Sequence, residues 1–149
     1  MNIVEFAKQY KEMGYPHDHT LMSRVLHTDV STSTLVYSQG EFLVELYLMH
    51  PNVSVVRHSH PFENVALFYS GELIGLRQGG VIPAKLTDVH HGFIGAPLEP
   101  NKWHEFKVGP NGCVFYNISR WDNVSEKDSA ILKYIGEPLG PLHKKLLEV

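Results

Sequence analysis

A single cysteine, Cys113, stands in the 149 residues, so no internal disulfide can form. No apolar run approaches the roughly 20 residues that a membrane helix needs. The net charge is only −3 and the basic residues never cluster beyond Lys144-Lys145, which excludes a sequence-independent electrostatic grip on nucleic acid. The start, Met1-Asn2-Ile3-Val4-Glu5-Phe6, lacks the basic and apolar regions of a secretory signal. These absences predict a soluble, cytoplasmic protein without a membrane or nucleic-acid partner. Nor is there a low-complexity block, and with 43% hydrophobic residues the chain is expected to form one domain over residues 1–149.

The pattern that is present is mostly β. Ile3, Phe6, Ala7 and Tyr10 lie at helical spacing ahead of Gly14 and Pro16, so the segment 1–20 opens with a short amphipathic helix, a lid or a clasp. From about Thr34 the chain changes to strands: a hairpin around Gln39-Gly40, a strand over 53–60 stopped by Pro61, and a second hairpin turning at Ser70-Gly71-Glu72. Further strands are predicted at 84–89, 92–95, 105–108 and 114–120, with turns at Pro100-Asn101 and Pro110-Asn111-Gly112. Short strands without alternating helices argue for an antiparallel sandwich or barrel over about 34–120. The tail, about 125–149, returns to helix: Ser125-Glu126-Lys127-Asp128 reads as a capping box, Ile131, Leu132 and Ile135 share a face, Gly136 closes it, and 141–147 adds a last turn.

Within the barrel segment, His58-Ser59-His60 stands at a strand end. A strand alternates its side chains, so His-x-His puts two imidazoles on one face about 6–7 Å apart, near enough to grip one metal ion. His104, in Lys102-Trp103-His104-Glu105-Phe106, offers a third. The plain alternative is a set of histidines on half-buried strands satisfied by hydrogen bonds. His17, His19, His90 and His91 are read as surface histidines, having no clear third ligand, and Cys113 as a small strand residue with no adjacent base to activate it.

These residues resemble the cupin superfamily, small jelly-roll barrels marked by two motifs. The first runs Gly, five residues, His-x-His, three or four residues, Glu, six residues, Gly; His58, His60 and Gly71 fall into register, with Asn52 at the opening Gly. At the carboxylate position a three-residue gap lands on Asn64, and Glu63 stands one position early. The second motif runs Gly, five residues, Pro-x-Gly, two residues, His, three residues, Asn. Here His104 matches, Pro100 is one residue late, Asn101 takes the second Gly position and Val108 the final Asn.

The resemblance implies an all-β antiparallel jelly-roll barrel with short N- and C-terminal helices. It also implies a divalent metal held by His58, His60 and His104, with Glu63, swung inward by a bulge, or Asn64 as a further ligand. Three imidazoles suit Fe, Zn, Ni, Cu or Co. Glu63 is then also the candidate for proton transfer, and Asn64, Tyr69 and Trp103 are candidate pocket residues. Two functions follow as expectations. One is a metal-dependent cupin enzyme acting on a small molecule, of dioxygenase, isomerase or lyase type. The other is a non-catalytic structural or ligand-binding barrel in a homo-oligomeric assembly, such as a virus particle, its terminal helices reaching across subunits. A homodimer is the default that the family implies.

Overall fold

The structure, a computed structural model, describes residues 1–22, 25–78, 91–132 and 144–145. It is a curled, half-barrel antiparallel sheet flanked by short helices. In chain order the elements are α1 (Ile3–Glu12), α2 (His19–Met22), β1 (Val25–His27), β2 (Ser31–Gln39), β3 (Phe42–Met49), β4 (Ser54–Ser59), β5 (Glu63–Gln78), β6 (His104–Arg120), α3 (Val124–Leu132) and β7 (Lys144–Lys145). The sheet runs β1-β2-β3-β6-β4-β7, and β5 lies along the other edge of β6. Thus β6 is the spine: its far half, 113–120, pairs with β3, its near half with β4, and nearly its whole length with β5.

Strand alternation divides β3 and β6 between two cores. Phe42, Val44, Tyr116 and Ile118 point outward and, with Val65 and Leu67 of β5, meet the apolar stripe Ile3, Phe6, Ala7 and Tyr10 of α1. Phe6 stacks on Phe42 at 4.2 Å between ring centroids. Asn2 caps the helix, accepting from the Glu5 amide while the Glu5 carboxylate accepts from the Asn2 amide, so α1 is a clasp on the outer face. On the inner face Tyr47, Met49, Val55, Phe68, Leu73 and Phe115 form the second core.

Several sequence expectations change here. Ser70-Gly71-Glu72 does not reverse the chain, and β5 continues through it; likewise Pro110-Asn111-Gly112 lies within β6. The turn-forming residues serve instead as paired irregularities, residues 109–112 bulging opposite Glu72. Gly71 has φ +90°, and a Cβ there would collide with the Gly112 carbonyl and come within 2.6 Å of Cys113 Cα. The strands also begin earlier than Thr34, at Val25. Residues 92–95 make only an isolated bridge, Ile94 with Leu67.

In the tail, α3 starts one residue ahead of Ser125, and Asn123 caps it by accepting from the Glu126 amide. Ile131 packs inward against the cluster of Leu35, Leu43 and Phe62, but Leu132 is exposed. Lys127 anchors the helix, its buried Nζ donating to Ser38 Oγ at 2.8 Å and to the Gly40 carbonyl. The last predicted helical turn is corrected at Lys144-Lys145, which form a strand on the β4 edge beside His58 and Ser59. The strand 84–89, His90, Ile135 and Gly136 lie outside the described residues.

Gly71→Ala should therefore destabilise the protein by about 2 kcal/mol more than Gly40→Ala. Both glycines have positive φ, which costs a side chain about 1–2 kcal/mol, but only at Gly71 is the added carbon blocked by backbone. Urea unfolding of the two variants measures the difference, and equal losses would refute the bulge as drawn.

Candidate metal centre

Two strand residues and one that follows a strand end converge at one end of the inner face. His58 of β4 is the cross-strand partner of His104, the first residue of β6, so their rings are 4.2 Å apart between centroids. His60 follows the end of β4, and its carbonyl accepts from the Asn101 amide at 2.7 Å, which ties the approach to β6 against the His-x-His segment. Asn101 and Asn52, the two residues at glycine positions of the motifs, both adopt φ 63°, the left-handed conformation that Asn tolerates better than other side chains. The His60 ring stacks on Phe62, which in turn lies on Trp121.

All three histidines are buried, at 4%, 3% and 6% exposure for His58, His60 and His104, and one ring nitrogen from each lies within 4.8 Å of the others. His58 Nδ1 donates to the Val56 carbonyl at 2.8 Å, which leaves Nε2 as the lone pair that faces the group. His60 Nε2 and His104 Nε2 are 3.2 Å apart. Neutral imidazoles can share one proton at that distance. It is also the ligand-to-ligand spacing around an ion with metal–nitrogen bonds of about 2.0–2.1 Å, between the tetrahedral and octahedral values. The donor set fits a divalent transition metal and does not suit Mg or Ca.

Burial disfavours the charged form of two of the rings. It pushes His104 down to about 3, with His58 beside it adding to the effect and the Lys102 backbone opposing it. It also lowers His58, against the Val56 hydrogen bond. Neutral rings are the form that binds metal.

The carboxylate is placed elsewhere. Glu63 shares the strand face of Val65 and Leu67, and its side chain pairs with Arg120 at 3.2 Å, so the structure does not bring it to the histidines as ligand or proton carrier. The reason is strand parity: no bulge reverses β5 between Glu63 and Asn64, and one residue decides the face. Asn64 is the residue that turns inward. It lines a cavity of about 330 Å³ that also contains the three histidines and Asn117.

Tyr69 lies outside this cavity, in an outer aromatic group with Tyr15, His91 and Tyr116. Trp103 is also outside it, stacked under the Arg57 guanidinium at 3.9 Å. His17 meets the Tyr116 hydroxyl and His91 the Tyr15 hydroxyl. Among the described residues only His58, His60 and His104 form a group that could hold a metal. Burial raises the Cys113 thiol to about 12, which leaves it inert.

Sequence reading missed Glu45, which is fully buried, and gave no role to Asn117. Asn64 Nδ2 donates to Asn117 Oδ1 at 3.1 Å, Asn117 Nδ2 to Glu45 Oε1 at 3.4 Å, and the Tyr47 hydroxyl to Glu45 Oε2 at 3.1 Å. A signal existed: Glu45 falls on the same strand face as Leu43, Tyr47 and Met49, inside an apolar run.

No protein-family model matches the chain, and no curated protein matches it. Solved structures do. A conserved Klebsiella pneumoniae protein with a double-stranded β-helix domain superposes with TM-score 0.51 at 23% identity, covering 68% of this chain and 86% of that one. A cupin superfamily protein of Desulfitobacterium hafniense gives 0.50 at 12%, covering 65% and 83%. The chain has the fold of these proteins, the cupin or double-stranded β-helix barrel. Bacillus subtilis oxalate decarboxylase, whose structure concerns its Mn(II) centres, gives 0.54 at 13% and covers 72% of this chain but only 30% of the decarboxylase. At these identities the likeness is one of fold.

An unfolded chain protonates its histidines near pH 6.5, whereas folded His104 resists down to about 3. The unfolded state therefore binds more protons across that window, and the metal-free protein should be most stable above pH 6.5 and lose stability as the pH falls. The His104 contribution is at most about 1.4 kcal/mol per pH unit. Urea unfolding from pH 7 to pH 4 should show a steeper loss for the native protein than for His104→Gln; parallel profiles would contradict the burial.

Proposed function

We propose that the protein is a metal-dependent cupin that binds a small molecule and acts on it at the ion held by His58, His60 and His104. The observation that carries this reading is the convergence of three buried imidazoles in the wall of one cavity, with no carboxylate among them. Three protein ligands leave coordination positions open, and a bound ion would there supply Lewis acidity toward a substrate oxygen or activate water or dioxygen. This chain's own residues do the rest. The Val56 carbonyl holds His58 in the tautomer that presents Nε2, Phe62 buttresses His60, and the apolar wall of Val55, Phe68, Leu73 and Phe115 excludes water from what binds beside them.

The manganese centres of the similar oxalate decarboxylase support a metal on this fold without specifying which ion this chain takes. Site of action and subunit number belong to the same proposal: a cytoplasmic protein that pairs as a homodimer. The described residues contain no helix long and apolar enough to cross a membrane.

Protein purified without an affinity tag, stripped with chelator and titrated with Zn(II) or Co(II), should take up about one ion per chain. Loss of an outer-shell partner typically costs 10–100-fold in affinity, so His58→Ala or His104→Ala should cost on the order of 100-fold or more. Glu63→Gln should leave uptake unchanged and, because the Arg120 pair is partly solvated, alter stability by no more than about 1 kcal/mol. Equal uptake by the native protein and the His58→Ala, His104→Ala double variant would overturn the assignment.

A further inference from the structure

The cavity is apolar over most of its wall, and among the described residues that line it there is no Lys, Arg, Asp or Glu. A phosphate or a polycarboxylate would find no side-chain counter-charge there. Beyond the histidines and two serines of β2, its polar lining is Asn64, Asn117 and Tyr47. These three lead back to Glu45, a carboxylate with 0% exposure on the same strand as Tyr47.

That arrangement fixes the direction of the hydrogen bonds that join Glu45 to Tyr47 and, through Asn117, to Asn64. Glu45 and Asn117 are direct cross-strand partners of β3 and β6. A carboxylate offers only lone pairs, so Asn117 must present its amide nitrogen to Glu45 Oε1, which turns Asn117 Oδ1 away. That oxygen accepts from Asn64 Nδ2. With its nitrogen turned to Asn117, Asn64 keeps its carbonyl oxygen for the cavity. Tyr47 likewise directs its one hydroxyl proton to Glu45 Oε2, so its oxygen can only accept from any other partner.

We infer that Glu45 is a specificity-determining residue that sets the polarity of the cavity wall, making Asn64 and Tyr47 acceptors and selecting a small, mostly apolar ligand that carries an O–H or N–H donor. This deepens the proposed function and rests on the reading of the cavity as a small-molecule site. Glu45 is not among the described residues that line the cavity; it acts on the wall through two amides and a phenol. The substitution Glu45→Gln lifts this constraint, because an amide offers both a donor and an acceptor. With its nitrogen toward Asn117 Oδ1, Asn117 Nδ2 faces Asn64 Oδ1 and the Asn64 nitrogen turns to the cavity; with its nitrogen toward Tyr47, the Tyr47 oxygen accepts from it and the hydroxyl proton is directed elsewhere.

The test uses the full chain, stripped of metal, with a matched pair of neutral probes of equal bulk, 1-phenylethanol as donor and acetophenone as pure acceptor, followed by ligand-observed NMR. The native protein should bind the alcohol more tightly, on the order of 5-fold, which is the worth of one ordinary hydrogen bond. Glu45→Gln should reduce or abolish that preference. Asn64→Leu, which removes the acceptor without touching Glu45, should bind both probes alike and so keeps the inference testable if the Glu45 variant does not fold. Equal binding of the two probes by the native protein, an undiminished preference in a folded Glu45→Gln, or binding of neither probe would overturn the inference. Zn(II) titration of the same preparations separates the two claims. Probe preference without metal uptake refutes the metal-dependent function and leaves the wall polarity standing, whereas uptake without preference does the opposite.

Discussion

The register of β6 is the constraint on which the candidate site depends. Its first residue, His104, faces His58 across the ladder; further along, Asn117 faces Glu45, while Val114, Tyr116 and Ile118 turn to the other side of the sheet. Because side chains alternate with period two, a slip of one residue would carry His104 and Asn117 out of the cavity together and bring Tyr116 and Ile118 in. The bulge of residues 109–112 opposite Glu72 separates the half of β6 that pairs with β3 from the half that pairs with β4. The metal group, the polar relay and the seat of α1 are consequences of one alignment, and they are not independent features.

That alignment also explains how polar groups persist in an apolar interior. A fully buried carboxylate is costly unless its lone pairs are used, and Glu45 accepts from both Tyr47 and Asn117. His58 answers to the Val56 carbonyl, and His60 and His104 face each other. The histidines and the amides around Glu45 are therefore oriented before a ligand arrives, which is the condition under which a small site can discriminate.

Much of this was legible in the sequence. The all-β pattern and the cupin resemblance led to the right fold, the structure brings His58, His60 and His104 together, and Asn52 and Asn101 hold the left-handed backbone that their motif positions call for. What failed was the reading of turns. Gly71 and Pro110-Asn111-Gly112 carry the residues of a chain reversal, but a positive φ serves a bulge equally well, and only the neighbouring strand distinguishes the two. Glu63 failed for a related reason. Adjacency to the histidines suggested a ligand, whereas parity sends it to Arg120 and sends Asn64 inward. Tyr69 and Trp103 were likewise chosen for adjacency and face away from the cavity. Glu45 lies thirteen residues upstream of His58 in sequence (58 − 45) and joins the cavity wall only through pairing of β3 with β6.

Whether the three imidazoles share one ion is tested most directly by anomalous scattering from crystals grown with Zn(II), recorded on both sides of the zinc absorption edge. A single strong peak is expected about 2.0–2.1 Å from a ring nitrogen of each of His58, His60 and His104, with Glu63 still on Arg120. No peak there, or a peak bound through Glu63 or at His17 or His91, would contradict the shared site.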